Sequence, residues 1–552
     1  MSIRAWLPLG SRRSALGVAR VGVFAVLLPL AACAGAAGPT TETNGRLFAR
    51  GLDEITDLYI EPVSTRQLAL AGTARLARLD DKLAVAEGGN AAGKSLGLTY
   101  GGRDVAVFAM PADADTREWG EVLAGLIAAA KGASPHVAAM PREGVEKAVF
   151  DGITGTLDRF SRYSPPEAAR DQRAARDGFG GIGISLDTTD DAFRIVAVTP
   201  QGPAARAGLK PEDKIIAIDG VSIVGRVPAE VIHLLRGPVA STVAVRVARP
   251  GSAQPRDFNV ERALVIVPTV TMSRDGGIAV FHIVSFNQST TQRLTEGLAE
   301  ARRQTGGQLA GVVLDLRGNP GGLLDQAVSL ADLFIHTGPI VSTVGRHPAA
   351  QQYFAASGRS VAAQIPVVVL INGGSASSSE IVAAALQDAG RAVVIGSSSY
   401  GKGTVQTVLR LPNDGELTLT WARLVTPAGY YLQTHGVVPT LCTSDLGDDE
   451  GSLQRGLERA SASAPATPLA LQPRAGLDER AWSELRRSCP ARQTSPAVDL
   501  KMAERVLADP RLYAAALHPP HGATALARNA PPVAQPERAL TDVDGALSSR
   551  QR

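Results

Sequence analysis

Two short stretches of the chain contain the side chains with the clearest potential for chemistry. The first, GGSASSSE at residues 373–380, holds four serines in five positions directly after an apolar run. The second, GSSSYGKGT at residues 396–404, follows the next apolar run and contains Lys402. A serine hydroxyl is a weak nucleophile until a neighbouring base takes its proton, and a lysine can be that base once burial disfavours its charged form. The two stretches together predict a serine–lysine pair.

Both stretches also fit other roles. Ser377 and Glu380 have the Ser-x-x-Glu spacing of a capping box, so the serines can simply open a helix. The second stretch comes close to the phosphate-binding pattern Gly-x4-Gly-Lys-[Ser/Thr], but Gly403 stands where a hydroxyl for Mg²⁺ is needed. Residues 404–411 alternate in polarity as a strand does, whereas a phosphate loop opens a helix. The pattern therefore argues against nucleotide binding and leaves the cap and the nucleophile open.

Strands and helices alternate from about residue 265 to 441, which predicts an α/β region. In such folds the active groups lie where strands end and helices begin. Ser377 and Lys402 each follow a strand end in successive strand units, so the fold can bring them together. Gln406 lies on the same face as Lys402, where a neutral amide can orient the amine without adding a charge.

Residues 372–406 resemble the catalytic signature of the C-terminal processing peptidases, the tail-specific protease family of serine endopeptidases. The matching sequence is NGGSASSSEIVAAALQDAGRAVVIGSSSYGKGTVQ. Further matches to this family are DLRGNPGGLLDQAVSLADLFI and, for its PDZ domain, GFGGIGISL and GPAARAGLKPEDKIIAIDG. The resemblance covers roughly residues 145–440, and it is specific because the motifs occur together. It implies an α/β class of fold in a multi-domain α+β arrangement, with a crotonase-like protease core.

The resemblance also implies a set of site residues. Ser377 is the expected nucleophile, Lys402 its base and Gln406 the support for Lys402. Backbone N–H groups of Ser378 and Gly318 are expected to hold the oxyanion, although residues 318–322 also fit a plain glycine-rich turn. In the PDZ domain a substrate carboxylate would bind the backbone N–H groups of a short loop that contains Gly181, Ile182, Gly183 and Ile184. Arg236 would respond to an occupied groove.

Two alternatives remain for the PDZ region and for the chain as a whole. The PDZ fold can be merely structural, with Arg236 a solvated arginine at a helix C-terminus. The whole chain can be a non-catalytic, lipid-anchored PDZ scaffold or holdase whose serines only cap a helix. The catalytic interpretation, by contrast, predicts an endopeptidase that cuts exported proteins near or from their C-terminal tails. Its partners would be protein substrates with apolar tails, and the sequence leaves an adaptor lipoprotein and a homo-oligomer open.

The first residues have the pattern of an export signal. Four arginines precede the apolar run at residues 21–30, which is too short to span a membrane. The run ends in Leu-Ala-Ala-Cys, which resembles the lipobox of bacterial lipoproteins and marks Cys33 as the lipidated residue. The alternative is ordinary signal cleavage beside an incidental cysteine. We therefore predict an exported protein, lipid-anchored on the periplasmic side of a bacterial membrane.

Length and composition limit the number of domains and the kinds of partner and cofactor to expect. The chain has 552 residues, a length that predicts two to four domains. Its net charge of +3 gives no reason to expect nucleic acid as a partner. The eight histidines are scattered without metal-ligand spacing, so no metal or cofactor is predicted. Cys442 and Cys489 can pair in an exported chain, but their spacing does not decide it. The predicted domains are a signal peptide (1–33), a tether and mostly helical region with an insertion (34–177), a PDZ domain (178–264), an α/β protease core (265–445) and a partly disordered C-terminal extension (446–552).

Local patterns predict several elements within these domains. Residues 34–45 are expected to be the tether, and the N-terminal region is expected to contain one short strand at Val105–Phe108 and a helix from Val145 to Phe160. Short apolar runs predict strands at Lys214–Ile218 and Val367–Ile371. Residues 519–552 have the composition of a disordered tail.

Overall fold

A computed structural model of the protein describes residues 39–90, 93–188, 193–362, 364–461, 478–492 and 495–517. The predicted signal peptide, Cys33 and the predicted disordered tail at 519–552 lie outside these residues. Within the described ranges, no helix is long and apolar enough to cross a membrane.

The N-terminal region combines helices with a small antiparallel sheet. The segment predicted as mostly helical contains the three-stranded sheet β1-β2-β3, where the sequence suggested only one strand. Its first helix begins at Pro39, inside the predicted tether at 34–45. Large side chains such as Phe48, Trp119 and Phe150 form its core. Its elements are α1 Pro39–Leu58, α2 Thr65–Ala77, β1 Leu83–Asn90, β2 Gly93–Tyr100, β3 Arg103–Ala109, α3 Thr116–Ala133, α4 Pro135–Ala139, α5 Arg142–Thr154, β4 Arg162–Ser164 and α6 Pro166–Asp177.

The next region is a small antiparallel sheet with its own apolar core. Its strands lie in the order β11-β10-β8-β7-β6, and the outer strands β5 and β12 pair with each other. Alternating side chains such as Ile195, Ile218 and Val245 are fully buried, as period-two patterning requires of a half-buried sheet. The elements are β5 Phe179–Gly181, β6 Ile184–Asp187, β7 Phe193–Val198, α7 Pro203–Ala207, β8 Lys214–Ile218, β9 Val221–Ser222, α8 Pro228–Leu235, β10 Thr242–Ala248, β11 Arg256–Glu261 and β12 Ala263–Val265.

A mostly parallel sheet forms the centre of the third region. Its order is β13-β14-β15-β18-β19-β22, in which only β13 is antiparallel to its neighbour. A second sheet, β17-β16-β21-β20, is antiparallel, and β4 of the N-terminal region joins it beside β21. The elements are β13 Val270–Asp275, β14 Ile278–Ile283, α9 Thr290–Gln304, β15 Gly311–Asp315, α10 Leu324–Asp332, β16 Pro339–Gly345, β17 Gln352–Ala355, β18 Val367–Ile371, α11 Ser378–Asp388, β19 Val393–Gly396, β20 Thr404–Arg410, β21 Glu416–Val425 and β22 Leu441–Cys442.

Helices cover both faces of the central sheet. Val369 points into the cluster formed with α9, α10 and α11, whereas Val368 and Leu370 point into a cluster with the C-terminal helices. Parallel sheets need such cover because their strands are apolar on both faces. The C-terminal extension is therefore part of the core of this region rather than an appendage. Its helices are α12 Glu450–Ser461, α13 Glu479–Ser488, α14 Pro496–Ala508 and α15 Pro510–Ala516.

A disulfide joins Cys442 of β22 to Cys489, the residue after α13, with 5.7 Å between their Cα atoms. The sequence left this pairing open. The bond attaches the C-terminal helices covalently to the edge strand of the central sheet.

Candidate active site

The serine loop, residues 373–380, carries the chain from β18 into α11. Ser377 has φ 57° and ψ −114°, a conformation that residues other than glycine rarely adopt. Such a backbone costs about 1–3 kcal/mol and persists only where the surroundings fix it, which is common at active sites. The turn leaves the Ser377 side chain half-buried, whereas Ser375, Ser378 and Ser379 are buried.

Hydrogen bonding separates Ser377 from the other three serines. The other hydroxyls all donate to carbonyls of the glycine turn, residues 316–322, which follows β15. The Ser377 hydroxyl faces the N–H of Glu380 in a capping box, and it donates to no acceptor among the described residues. Ser377 is therefore the serine whose hydroxyl is available to react. The three engaged pairs are Ser375 Oγ to Leu316 O at 2.8 Å, Ser378 Oγ to Gly322 O at 2.9 Å and Ser379 Oγ to Asn319 O at 2.9 Å.

Glu380 ties the serine loop to the lysine loop, residues 396–404. One oxygen of its buried carboxylate, Oε2, accepts from the backbone N–H of Ser377 at 2.7 Å and of Lys402 at 2.9 Å. Oε1 accepts from Ser399 Oγ at 2.5 Å and from Gly401 N–H at 2.6 Å. Burial raises the pKa of Glu380, while these hydrogen bonds act in the opposite direction. This carboxylate fixes the backbones of both expected catalytic residues from one point.

The Lys402 side chain is half-buried against an aromatic ring. Its Nζ is 5.1 Å from the centre of the Phe160 ring, which belongs to the segment between α5 and β4. Burial lowers the pKa of Lys402, and the positive charge of Arg162 lowers it further. The carboxylates of Glu380 and Asp158 oppose that shift. A lysine in these surroundings loses its proton more readily than a solvated lysine, as a general base must.

Gln406 lies in β20, on the strand that follows Lys402. Its amide Nε2 donates to the hydroxyl of Thr404 at 2.9 Å and to that of Thr420 at 3.1 Å. These two bonds fix the amide plane and use its donor end. The carbonyl end remains as an acceptor for an amine, which fits the supporting role expected for this residue.

The two expected oxyanion donors differ in their present engagement. Within the described residues, the N–H of Ser378 at the start of α11 has no hydrogen-bond acceptor. The N–H of Gly318 donates to Asn372 Oδ1 at 2.9 Å. Gly321 brings the glycine turn against the serine loop, since a Cβ built on it would lie 2.9 Å from Ser377 Cβ. Ser378 is thus available in this conformation, whereas Gly318 is occupied by the Asn372 side chain.

The residues expected to bind a substrate carboxylate join β5 to β6, the edge strand of the antiparallel sheet. Gly181 pairs with Ala263, and Ile184 pairs with Val198. Between them, Ile182 and Gly183 form a loop whose carbonyls accept hydrogen bonds and whose N–H groups meet no acceptor among the described residues. The Ile182 side chain is buried in the domain core. The loop therefore offers free backbone donors, as capture of a carboxylate requires.

Arg236 lies at the end of α8 beside a cleft of about 1500 Å³ between this helix and α6. Its guanidinium lies 4.1 Å from the centre of the Phe179 ring and forms a 3.1 Å ion pair with Asp171 of α6. A cation held by a ring and a carboxylate is more constrained than a solvated surface arginine. This ion pair connects the end of α8 to α6, the helix that leads from the N-terminal region.

Sequence reasoning missed the residues that surround Lys402 from the N-terminal region. It extended the helix beginning at Val145 as far as Phe160, whereas α5 ends at Thr154 with Gly155 as its C-cap. Asp158 then organises a tight turn by accepting from the N–H groups of Phe160 and Ser161. The signal was present, because glycine commonly ends a helix and aspartate commonly opens such a turn.

Comparison with known proteins places the chain in a family. The profile described as Peptidase family S41 matches residues 277–442, and a PDZ domain profile matches residues 194–249. A carboxy-terminal-processing protease of Bartonella bacilliformis is 39% identical over 299 residues, which cover 54% of this chain and 69% of that protein. The carboxy-terminal processing protease CtpB of Bacillus subtilis is 31% identical over 313 residues, covering 55% of this chain and 64% of CtpB.

Among solved structures, the photosystem II D1 C-terminal processing protease is 28% identical. The alignment covers 54% of this chain and 82% of that one, with a TM-score of 0.32. The sequence relatives suffice for the assignment: the chain belongs to peptidase family S41, whose members include the carboxy-terminal processing proteases. It is a serine peptidase with a PDZ domain, as the sequence motifs predicted.

Proposed function

We propose that this protein cuts exported proteins near or from their C-terminal tails, with Ser377 as nucleophile and Lys402 as general base. The observation that carries the proposal is the arrangement around Glu380. Its carboxylate holds the backbones of both residues, while the Ser377 hydroxyl, unlike those of the other three serines, donates to no carbonyl among the described residues. A helix cap alone does not require a half-buried lysine bound to the same carboxylate.

The reaction follows from these positions. Neutral Lys402 takes the hydroxyl proton while Ser377 Oγ attacks the carbonyl carbon of the scissile peptide bond. The negative charge that develops on the carbonyl oxygen is stabilised by the N–H of Ser378 at the start of α11. The N–H of Gly318 joins it when the Asn372 side chain turns away. Collapse of the tetrahedral intermediate transfers the proton from Lys402 to the leaving amine, and water then hydrolyses the acyl-enzyme.

Ser377→Ala tests this proposal. The purified variant should fail to degrade an unfolded protein that the wild type degrades, with thermal unfolding unchanged, because only the nucleophile is lost. Gln406→Ala should retain a reduced rate. If Ser377→Ala degraded the substrate at the wild-type rate, Ser377 would not be the nucleophile. If the wild type itself degraded no substrate, the non-catalytic scaffold or holdase would be the better proposal.

We further propose that the PDZ domain selects substrates by their C-termini. A substrate tail would add a strand beside β6, the edge strand of the antiparallel sheet, with its carboxylate at the N–H groups of the loop from Gly181 to Ile184. Arg236 would report the occupied groove to the N-terminal region through Asp171. Arg236→Ala should then lower turnover of tailed proteins more than their binding. An equal loss on a short peptide that cannot reach the groove would indicate general damage to the fold instead.

Lipid anchoring through Cys33 is the proposed localisation. Cys33→Ser should release the protein from membranes or block its maturation without changing catalysis by the purified enzyme. Mass spectrometry of the mature N-terminus checks this directly. A mature chain that begins at any other residue, without lipid, would contradict the lipoprotein proposal.

A further inference from the structure

Helix α13 of the C-terminal extension places a charged side chain directly behind the proposed active site. The guanidinium of Arg486 donates to Ser399 O at 3.0 Å and also to the carbonyl of His435. Both acceptors flank the buried Glu380 carboxylate. A Cβ built on Gly436 would lie 2.7 Å from Arg486 Nη1, 2.7 Å from Ser399 Oγ and 3.1 Å from Glu380 Oε1. The three groups therefore converge on one point with no space between them.

Ser399 links the guanidinium to the carboxylate. Its hydroxyl donates to Glu380 Oε1 and accepts from the N–H of Val437 at 2.7 Å, while its carbonyl accepts from Arg486. Arg486 is mostly removed from solvent, and the negative charge of Glu380 acts on it directly. A guanidinium suits this place because its rigid fork reaches two carbonyls while it keeps its positive charge under burial.

Three contacts fix α13 in this position. The disulfide between Cys442 and Cys489 joins the end of the helix to β22. Ser398 of the lysine loop donates to the carbonyl of Cys489 at 2.6 Å. Trp482 is buried between aromatic rings, with centroids 4.7 Å from both Tyr430 and His435. The helix is thus bound to the lysine loop and not merely packed on the surface.

We propose that Arg486 is a positioning residue for the Ser377–Lys402 pair, acting through Ser399 and Glu380, and that the Cys442–Cys489 disulfide holds it in place. The proposal rests on the proposed function of that pair. Arg486 touches neither substrate nor reacting atoms. Its guanidinium locks the lysine loop against the carboxylate to which the backbones of Ser377 and Lys402 are bound.

The test compares purified full-length variants on one unfolded protein substrate and measures the rate at which a fluorophosphonate probe modifies Ser377. Arg486→Met should lower kcat roughly tenfold to a hundredfold, as expected when reacting groups are slightly misplaced, with KM unchanged. Probe modification should slow by a similar factor. Arg486→Lys, which keeps the charge and one donor direction, should recover part of the loss. Arg487→Met, the exposed neighbour on the same helix, is the matched control and should behave as wild type.

Two further variants keep the test decisive if Arg486→Met fails to fold. Ser399→Ala removes the hydroxyl bridge and should also lower kcat without raising KM. The double variant Cys442→Ser/Cys489→Ser removes the bond that holds α13 and should also lower kcat relative to wild type, at temperatures where the variant is still folded. Wild-type kcat and probe rates in Arg486→Met or, where that variant does not fold, in both Ser399→Ala and the disulfide variant would overturn the proposal while leaving the Ser377–Lys402 pair intact. A fully active Ser377→Ala would instead overturn the proposed function itself.

Discussion

The proposed nucleophile and the proposed base are held in place by different means. In the serine loop, three buried hydroxyls bind carbonyls of the glycine turn and the backbone is forced into a strained conformation at Ser377. Around the Lys402 side chain, a ring and nearby charges from the segment at 158–162 define the environment. The geometry of the serine comes from hydrogen bonds within the central region. The pKa of the lysine is set by burial and by charges, part of which come from a distant part of the chain.

The difference suggests that the two halves of the site can be disturbed separately. Changes near the glycine turn should alter the rate at every pH, because they misplace the serine. Changes in the segment at 158–162 should alter the pH dependence, because they act on the charge of the lysine. Glu380 belongs to both halves, since its carboxylate binds both backbones.

Lys402→Arg should have the largest effect. The guanidinium keeps the positive charge and much of the length of the side chain but cannot give up its proton near neutral pH. We expect a loss of roughly four orders of magnitude or more in kcat/KM, as for removal of a catalytic base. Hydrolysis of an unfolded substrate measures it, and circular dichroism confirms the fold. Appreciable activity in this variant would exclude Lys402 as the base.

Glu380→Gln should affect both halves. The amide accepts fewer and weaker hydrogen bonds than the carboxylate, and it places an NH₂ group against backbone donors. We expect a loss of about 1–3 kcal/mol in the free energy of unfolding, the usual result of leaving buried donors unsatisfied. Urea unfolding and kcat should both change. Glu296→Gln, on the exposed face of α9, is the control and should change neither.

Gly321→Ala should affect the serine half alone. The added methyl group would lie 2.8 Å from Ala376 O and 2.9 Å from Ser377 Cβ, so the serine loop must shift. We expect kcat to fall by roughly tenfold to a hundredfold with the pH profile unchanged. Gly338→Ala is the matched control, since its φ of 105° is close to the 104° of Gly321 but a Cβ there would touch nothing. If both variants lost kcat equally, backbone strain and not contact with Ser377 would be the cause.

Arg162→Leu and Asp158→Asn should have the smallest effects, and in opposite directions. Arg162 lowers the pKa of Lys402, so its removal should raise that pKa and move the acid limb of the kcat/KM profile to higher pH. Asp158 raises the pKa of Lys402, and the asparagine, which can still accept from Phe160 and Ser161, should move the limb to lower pH. Shifts of the same sign would show that these charges do not act on the base.

The sequence predicted those parts of the fold that depend on local patterns. The apolar runs at Lys214–Ile218 and Val367–Ile371 are strands with the expected bounds, because each run is short, apolar and flanked by turn residues. The β1–β3 sheet was mostly missed because its strands contain many glycines and alanines, which are not typical of strands.

The parts of the site that could not be predicted depend on contacts between residues far apart in the chain. Nothing near Gly318 in the sequence indicates that the Asn372 side chain accepts its N–H. Likewise, Arg486 lies more than a hundred residues beyond Glu380, in a segment whose composition suggested an appendage. Motifs identify which residues can react, whereas the groups that hold and tune them come from tertiary packing.

The cover on the second face of the central sheet has a consequence for how the chain matures. A ribosome that has delivered residues as far as Thr443 has made all six strands of that sheet, but not α12, α14 or α15, which bury Val313, Val368 and Leu370. Domains acquire their stability as units, and strands left bare on one apolar face are prone to misassembly. The peptidase unit therefore completes its fold only after these helices emerge. The proposed active site is thus not complete until most of the chain has been synthesised.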